Sequence, residues 1–88
     1  MEIEYKSKAL KDRDYWKKSG NKQVMKKILT LIADIRLYPF TGIGKPEPLK
    51  EKLSGMWSLR ITNEHRFIYM VSDNLISVIS MRGYYENI

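Results

Sequence analysis

Between Gly42 and Arg66 the chain reads GIGKPEPLKEKLSGMWSLRITNEHR. The glycine- and proline-rich opening of this stretch carries one carboxylate, Glu47, in the neighbourhood of Lys45, Lys50 and Lys52; Arg60 and Arg66 follow. A carboxylate near several fixed cations is the set that metal-free cleavage of an RNA phosphodiester requires. One group takes a proton and the others hold charge on the phosphate. Glu47 stands between Pro46 and Pro48, and X-Pro steps restrict the backbone, so its carboxylate is expected to be pre-placed. The competing reading is a surface carboxylate paired with Lys50.

Elements on both sides must position these groups. Upstream, Glu2 to Tyr5 alternates and reads as a first strand with Ile3 inward. Ser7 is a candidate N-cap for a helix from Lys8 to about Lys18. That helix has only a weak amphipathic pattern, with Tyr15 and Trp16 available for docking, and Ser19-Gly20-Asn21 stops it. A second helix is clearer: Val24, Ile28, Leu31 and Ile35 recur at helical spacing, and Met25 and Ile32 widen the stripe. It starts near Asn21 and ends before Pro39. From Pro39 to Ser54, three prolines and two glycines argue against a long helix or a central strand. A long irregular segment in so small a chain is often functional.

Downstream the chain reads as a three-stranded meander. Trp57, Leu59 and Ile61 alternate with polar residues, and Phe67, Tyr69 and Val71 alternate after them. Pairing Ile61 with His65 puts Trp57, Leu59, Ile61, Phe67 and Tyr69 on one face; the opposite face then sets Arg60 directly against Arg66. Like charges directly opposed destabilise a sheet. An anion held between them relieves that, and two splayed, solvated arginines are the alternative. Asp73-Asn74 makes a tight turn into a last strand from Leu75 to about Arg82. Gly83 can serve a bulge that re-aims Tyr84 and Tyr85.

The 88 residues, 43% of them hydrophobic, are expected to form one domain over 1–88 with a small core. A net charge of +6 argues for a polyanionic partner, with a surplus of solvated lysine as the bland alternative. With no cysteine, the chain can form neither a disulfide nor a thiolate zinc site. The charged start MEIEYKSKAL lacks a signal-peptide core, and no run approaches the length of a membrane span. A soluble, cytoplasmic protein is the expectation.

GKPEPLK, LSGMWSLRI and Glu64-His65-Arg66, in this order and spacing, resemble the YoeB/Txe toxins of the RelE superfamily. The likeness extends to Pro39–Gly44, Lys26-Lys27-Ile28 and Tyr15-Trp16. It implies an α+β, microbial-RNase-like fold with two N-terminal helices packed on a twisted antiparallel sheet. The implied activity is ribosome-dependent endonucleolytic cleavage of mRNA in the A site, inhibiting translation, with no cofactor and no metal. The implied partners are the ribosome with its mRNA, a YefM/Phd-type antitoxin whose C-terminal segment blocks the site, DNA only through that complex, and a second copy in a homodimer.

Carried over residue by residue, the resemblance makes Glu47 the base for the ribose 2′-OH and Arg66 the phosphate-stabilising arginine. Lys50 and Arg60 match further basic positions that orient the backbone, while Lys45 and Lys52 read as general RNA or ribosome contacts. The chain departs from the family near its end. Tyr84 stands where a histidine acts as general acid, in Arg82-Gly83-Tyr84-Tyr85. A histidine ordinarily titrates near neutrality and a tyrosine near ~10. Tyr84 is kept as the candidate acid and Tyr85 as a phosphate or base contact; Glu86-Asn87-Ile88 has no assigned role. His65, the sole histidine, reads as structural because it has no clustered partner. Two readings stay open beside the endonuclease: a basic module that occupies the A site or RNA without cutting, and a domain whose main role is complex formation with antitoxin and DNA.

Overall fold

The computed structural model describes residues 1–85. In chain order the elements are strand β1 (Glu2–Tyr5), helix α1 (Ser7–Ser19), helix α2 (Lys22–Leu37), strand β2 (Glu47–Pro48), a 3₁₀ turn (Glu51–Leu53), and strands β3 (Met56–Arg60), β4 (Arg66–Ser72) and β5 (Leu75–Ser80). The five strands form one sheet in the order β1-β5-β4-β3-β2. It is mostly antiparallel, and the exception is β1, which pairs parallel to β5. A parallel pair needs a long crossover, and here the whole chain between the two strands provides it.

Helix α2 forms where the apolar period predicts. Val24, Ile28, Leu31 and Ile35 are buried, and the Asn21 side chain caps the helix by accepting the Val24 N–H at 3.1 Å. Met25 and Ile32 are half-buried against the same core. Helix α1 starts one residue earlier than expected, and Ser7 is not its cap. Lys6 takes that place in extended geometry, and no side chain caps the helix. The Lys6 N–H donates to the Val78 carbonyl at 2.9 Å, while its own carbonyl accepts from Leu10 N–H at 3.0 Å. β1 therefore runs straight into α1 and leaves no room for a separate cap.

The hairpin register is the one the hydrophobic parity demands. Leu59 pairs with Phe67, Trp57 with Tyr69 and Arg60 with Arg66. Leu59, Ile61, Phe67 and Tyr69 join Ala9, Trp16 and the α2 stripe in the core, with Trp57 half-buried at its margin. In β5, Ile76 and Val78 are core residues, but the next one is Met81 rather than Ser80. The register slips by one residue there, since Tyr69 opposes Val78 and Ile68 opposes Ser80. The bulge is thus at Ile79, four residues before Gly83. It exchanges the two faces of everything after it, so Met81 turns inward and Arg82 stays out. Gly83 serves the chain differently. With φ at 87° it makes a turn in a conformation that favours glycine.

Candidate nucleic-acid interface

The face of the sheet away from the helices carries the polar groups. β2 is only two residues long, a length the flanking prolines allow at a sheet edge. It sets Glu47 directly opposite Ser58. Arg60 lies two residues further along β3, about 7 Å away on the same face, and opposes Arg66. Glu47, Ser58, Arg60 and Arg66 therefore share one surface as a consequence of register alone.

The loop ahead of β2 is held close to the core. An added Cβ on Gly44 would come within 2.8 Å of a Leu59 methyl and 2.9 Å of a Leu31 methyl, and one on Gly42 would meet the Asp34 carboxylate at 1.8 Å. Only glycine lets the backbone lie so near. The Tyr69 hydroxyl donates to the Pro39 carbonyl and ties the start of the loop to β4. Burial and the nearby Asp34 carboxylate raise the Tyr69 phenol well above its ordinary value, so it stays a donor at neutral pH.

These elements close a cleft of about 400 Å³ lined by Gly44, Lys45, Glu47, Ser58, Arg60, Arg66, Tyr84 and Tyr85. Six of the eight anticipated site residues meet there: Glu47, Arg66, Tyr84, Lys45, Arg60 and Tyr85. Lys50 and Lys52 do not line it. After Pro48 the chain leaves the sheet edge for the 3₁₀ turn, and both lysines are exposed there. Two lining residues escaped the sequence reading. Ser58 shares strand parity with Arg60, which was the available signal; Gly44 gave none beyond its place in the loop.

Arg60 and Arg66 resolve their opposed charges by different fates. Arg60 is exposed and makes no ion pair or hydrogen bond with a described residue. Arg66 is only 8% exposed. Its Nη1 donates to the carbonyls of Thr62 at 2.6 Å, His65 at 3.2 Å and Asn63 at 3.4 Å. The Tyr84 ring covers it, with the guanidinium carbon 4.5 Å from the ring centre. Nε and Nη2 bond no described residue, which leaves part of a rigidly held fork for an anion. Glu47 is exposed and pairs with no described cation, Lys50 included. Tyr85 lies against Tyr84 with ring centres 4.3 Å apart, and its hydroxyl donates to Ser58 Oγ at 3.3 Å.

The tyrosines are carried by a segment that α1 holds through side chains. Asp12 Oδ2 accepts the Met81 N–H at 2.9 Å, Trp16 Nε1 donates to the Met81 carbonyl at 2.7 Å, and Lys8 Nζ donates to the Arg82 carbonyl at 2.9 Å. Lys8 also pairs with Asp12 at 2.8 Å. Lys8, Asp12 and Trp16 stand four apart on one helix face. Trp16 was expected to help the helix dock; Lys8 and Asp12 were missed because they are polar, and they explain why α1 has so weak an apolar pattern. Tyr15 stacks under Arg82 at 3.6 Å from the outside. His65 lies outside the cleft lining. Its Nδ1 accepts the Gly83 N–H at 3.0 Å, and its ring meets Trp16 edge-on at 4.9 Å.

Comparison with known proteins gives one answer. Residues 5–85 match the family model described as YoeB-like toxin of bacterial type II toxin-antitoxin system. The chain is 45% identical over 85 residues to Toxin YoeB of Escherichia coli (strain K12), spanning 97% of this chain and 100% of that protein. Among solved structures, a YoeB/ParE toxin from Agrobacterium tumefaciens superposes with a TM-score of 0.90 at 39% identity, covering 97% of this chain and 100% of that one. A YoeB-YefM complex from Staphylococcus aureus superposes at 0.84 with 40% identity, covering 97% and 98%.

Proposed function

The chain belongs to the YoeB-like toxins of bacterial type II toxin–antitoxin systems, and from that premise we propose that it is an endoribonuclease that cuts mRNA in the ribosomal A site and so stops translation. The observation that carries this reading is the meeting of an exposed carboxylate, Glu47, with Arg60, Arg66 and Tyr84 in one cleft. In the reaction, Glu47 takes the proton of a ribose 2′-OH. The 2′-oxygen forms a bond to the adjacent phosphorus and the bond to the 5′-oxygen breaks, leaving a 2′,3′-cyclic phosphate and a 5′-hydroxyl. Arg66 stabilises the crowded phosphate, and the exposed Arg60 and Lys45 hold the RNA backbone. Tyr84 gives its phenolic proton to the leaving oxygen, and Tyr85 contacts the base or phosphate. Lys50 and Lys52 lie outside the cleft and act, in this reading, on ribosome or RNA at a distance from the chemistry.

The cellular partner under this proposal is a YefM-type antitoxin that covers the cleft, and the cytoplasm, where ribosomes work, is its place of action. The YoeB-YefM complex from Staphylococcus aureus supports that pairing by likeness. Primer extension on translating ribosomes tests the activity. New 5′ ends at A-site codons are expected with the parent and absent with Glu47→Ala, and Tyr84→Phe is expected to lower the single-turnover rate. Stalled ribosomes carrying intact mRNA would overturn the reading in favour of a non-cleaving inhibitor.

A further inference from the structure

Gly83 is the last backbone held before the two cleft tyrosines, and it is held on both sides. Its N–H belongs to the peptide plane that precedes its Cα, and its carbonyl to the plane that follows. The N–H donates to His65 Nδ1 at 3.0 Å, and the carbonyl accepts from the Arg66 N–H at 2.9 Å. Fixing both planes fixes φ and ψ of the residue that has the most conformations to choose from. The φ of 87° there is what delivers Tyr84 over the Arg66 guanidinium. The two partners are successive residues, and Arg66 Nη1 donates to the His65 carbonyl as well. One short stretch of hairpin therefore sets both the cation and the ring above it.

We propose that His65 is a positioning residue for Tyr84 and Tyr85, acting as the Nδ1 acceptor that locks Gly83. The role requires the neutral ring with its proton on Nε2, because only then is Nδ1 an acceptor. The ring's own plane is set by Trp16, which meets it at 87° and is itself bonded to the Met81 carbonyl at 2.7 Å. Helix α1 thus reaches the cleft through two relays: directly through Lys8, Asp12 and Trp16 to residues 81 and 82, and through Trp16 and His65 to residue 83. No histidine chemistry on the substrate is involved, since His65 does not line the cleft.

The effect on rate rests on the ribonuclease reading above, but the lock itself does not, so two measurements separate them. In the full chain labelled with ¹⁵N, a coupling across the hydrogen bond between the Gly83 amide and His65 Nδ1 is expected in the parent; its absence overturns the lock whatever the variants do. His65→Leu keeps bulk against Trp16 but has no acceptor, whereas His65→Asn places an amide oxygen near the lost Nδ1. Amide exchange at Gly83 is expected to rise about tenfold or more in His65→Leu and to return towards the parent in His65→Asn. Single-turnover cleavage on programmed ribosomes is expected to follow the same order, falling roughly tenfold to a hundredfold in His65→Leu, as small misplacements of reacting groups do. Equal behaviour of the two variants would show that ring volume and not the acceptor matters, and would sink the proposal. A parent that does not cleave would remove the ribonuclease reading, while Gly83 exchange would still decide for or against the lock.

Discussion

Glu47 and Arg66 differ in what they do for the fold, and that difference separates catalysis from stability. Glu47 is exposed and unpaired among the described residues. Glu47→Gln is therefore expected to leave stability within about 0.5 kcal/mol of the parent while lowering single-turnover cleavage by about 10²–10⁴, the usual reach of a general base. Thermal melts beside ribosome cleavage assays check both halves. Arg66 is buried and bonded to three carbonyls. Arg66→Lys keeps the charge, but its side chain is one bond shorter, so the ammonium falls short of the place from which Nη1 reaches those carbonyls, and the fork left for an anion is lost. A loss of about 1–3 kcal/mol is expected together with lost cleavage; Arg60→Ala, at an exposed position, is expected to weaken RNA binding with little change in the melt. Urea titrations of the two variants distinguish them, and equal stability losses would contradict the contrast in burial.

At the scale of elements, the loop from Pro39 to Pro46 is positioned by contact and by one tether. Gly44→Ala would push a methyl against Leu31 and Leu59, and overpacking of this kind costs about 1–3 kcal/mol; denaturant titration measures it. The Tyr69 hydroxyl, bonded to the Pro39 carbonyl, has its ordinary value raised by burial and by Asp34. A group raised in the folded state gives its full stabilisation below the unfolded value, near ~10 for tyrosine, and loses it as pH climbs beyond that. Tyr69→Phe is expected to be less stable at neutral pH and to show a flatter alkaline limb between about pH 9 and 11. Melts across that range test it; parallel curves would refute the assignment. What could be read beforehand follows from these same forces. The α2 stripe and the β3–β4 register were legible because burying apolar residues allows one solution in each. The span of helix α1 was legible to within a residue, but its docking was not, because Lys8 and Asp12 serve the backbone of residues 81 and 82 instead of burying apolar surface. The bulge at Ile79 has no local signature, and alternation in Glu2–Tyr5 carries no information on which strand it will join or in which direction. The cleft followed from parity for Arg60 and Arg66, and Ser58 carried the same signal unread; the displacement of Lys50 and Lys52 did not follow, since it depends on where the chain leaves the sheet.

For the molecule as a whole, the parallel pairing of β1 with β5 has a consequence in time. Glu2–Tyr5 is made first and lies against Leu75–Ser80, made some seventy residues later. The same separation divides Lys8 and Asp12 from the segment they hold. Contacts so distant in sequence form late and slowly. A growing chain can therefore pair β2, β3 and β4 and align Glu47, Arg60 and Arg66 before β5 exists to join them to β1, and Tyr84 emerges only after all of them. Products that stop before Met81 are expected to be protease-sensitive and inert, and products that reach Tyr85 to be resistant. Limited proteolysis of a series of shortened chains measures this, and a resistant product ending before Met81 would contradict it. Tyr84 and Tyr85 leave the exit tunnel last among the residues that line the cleft, so under the proposed activity a nascent chain meets solvent before its blade is set.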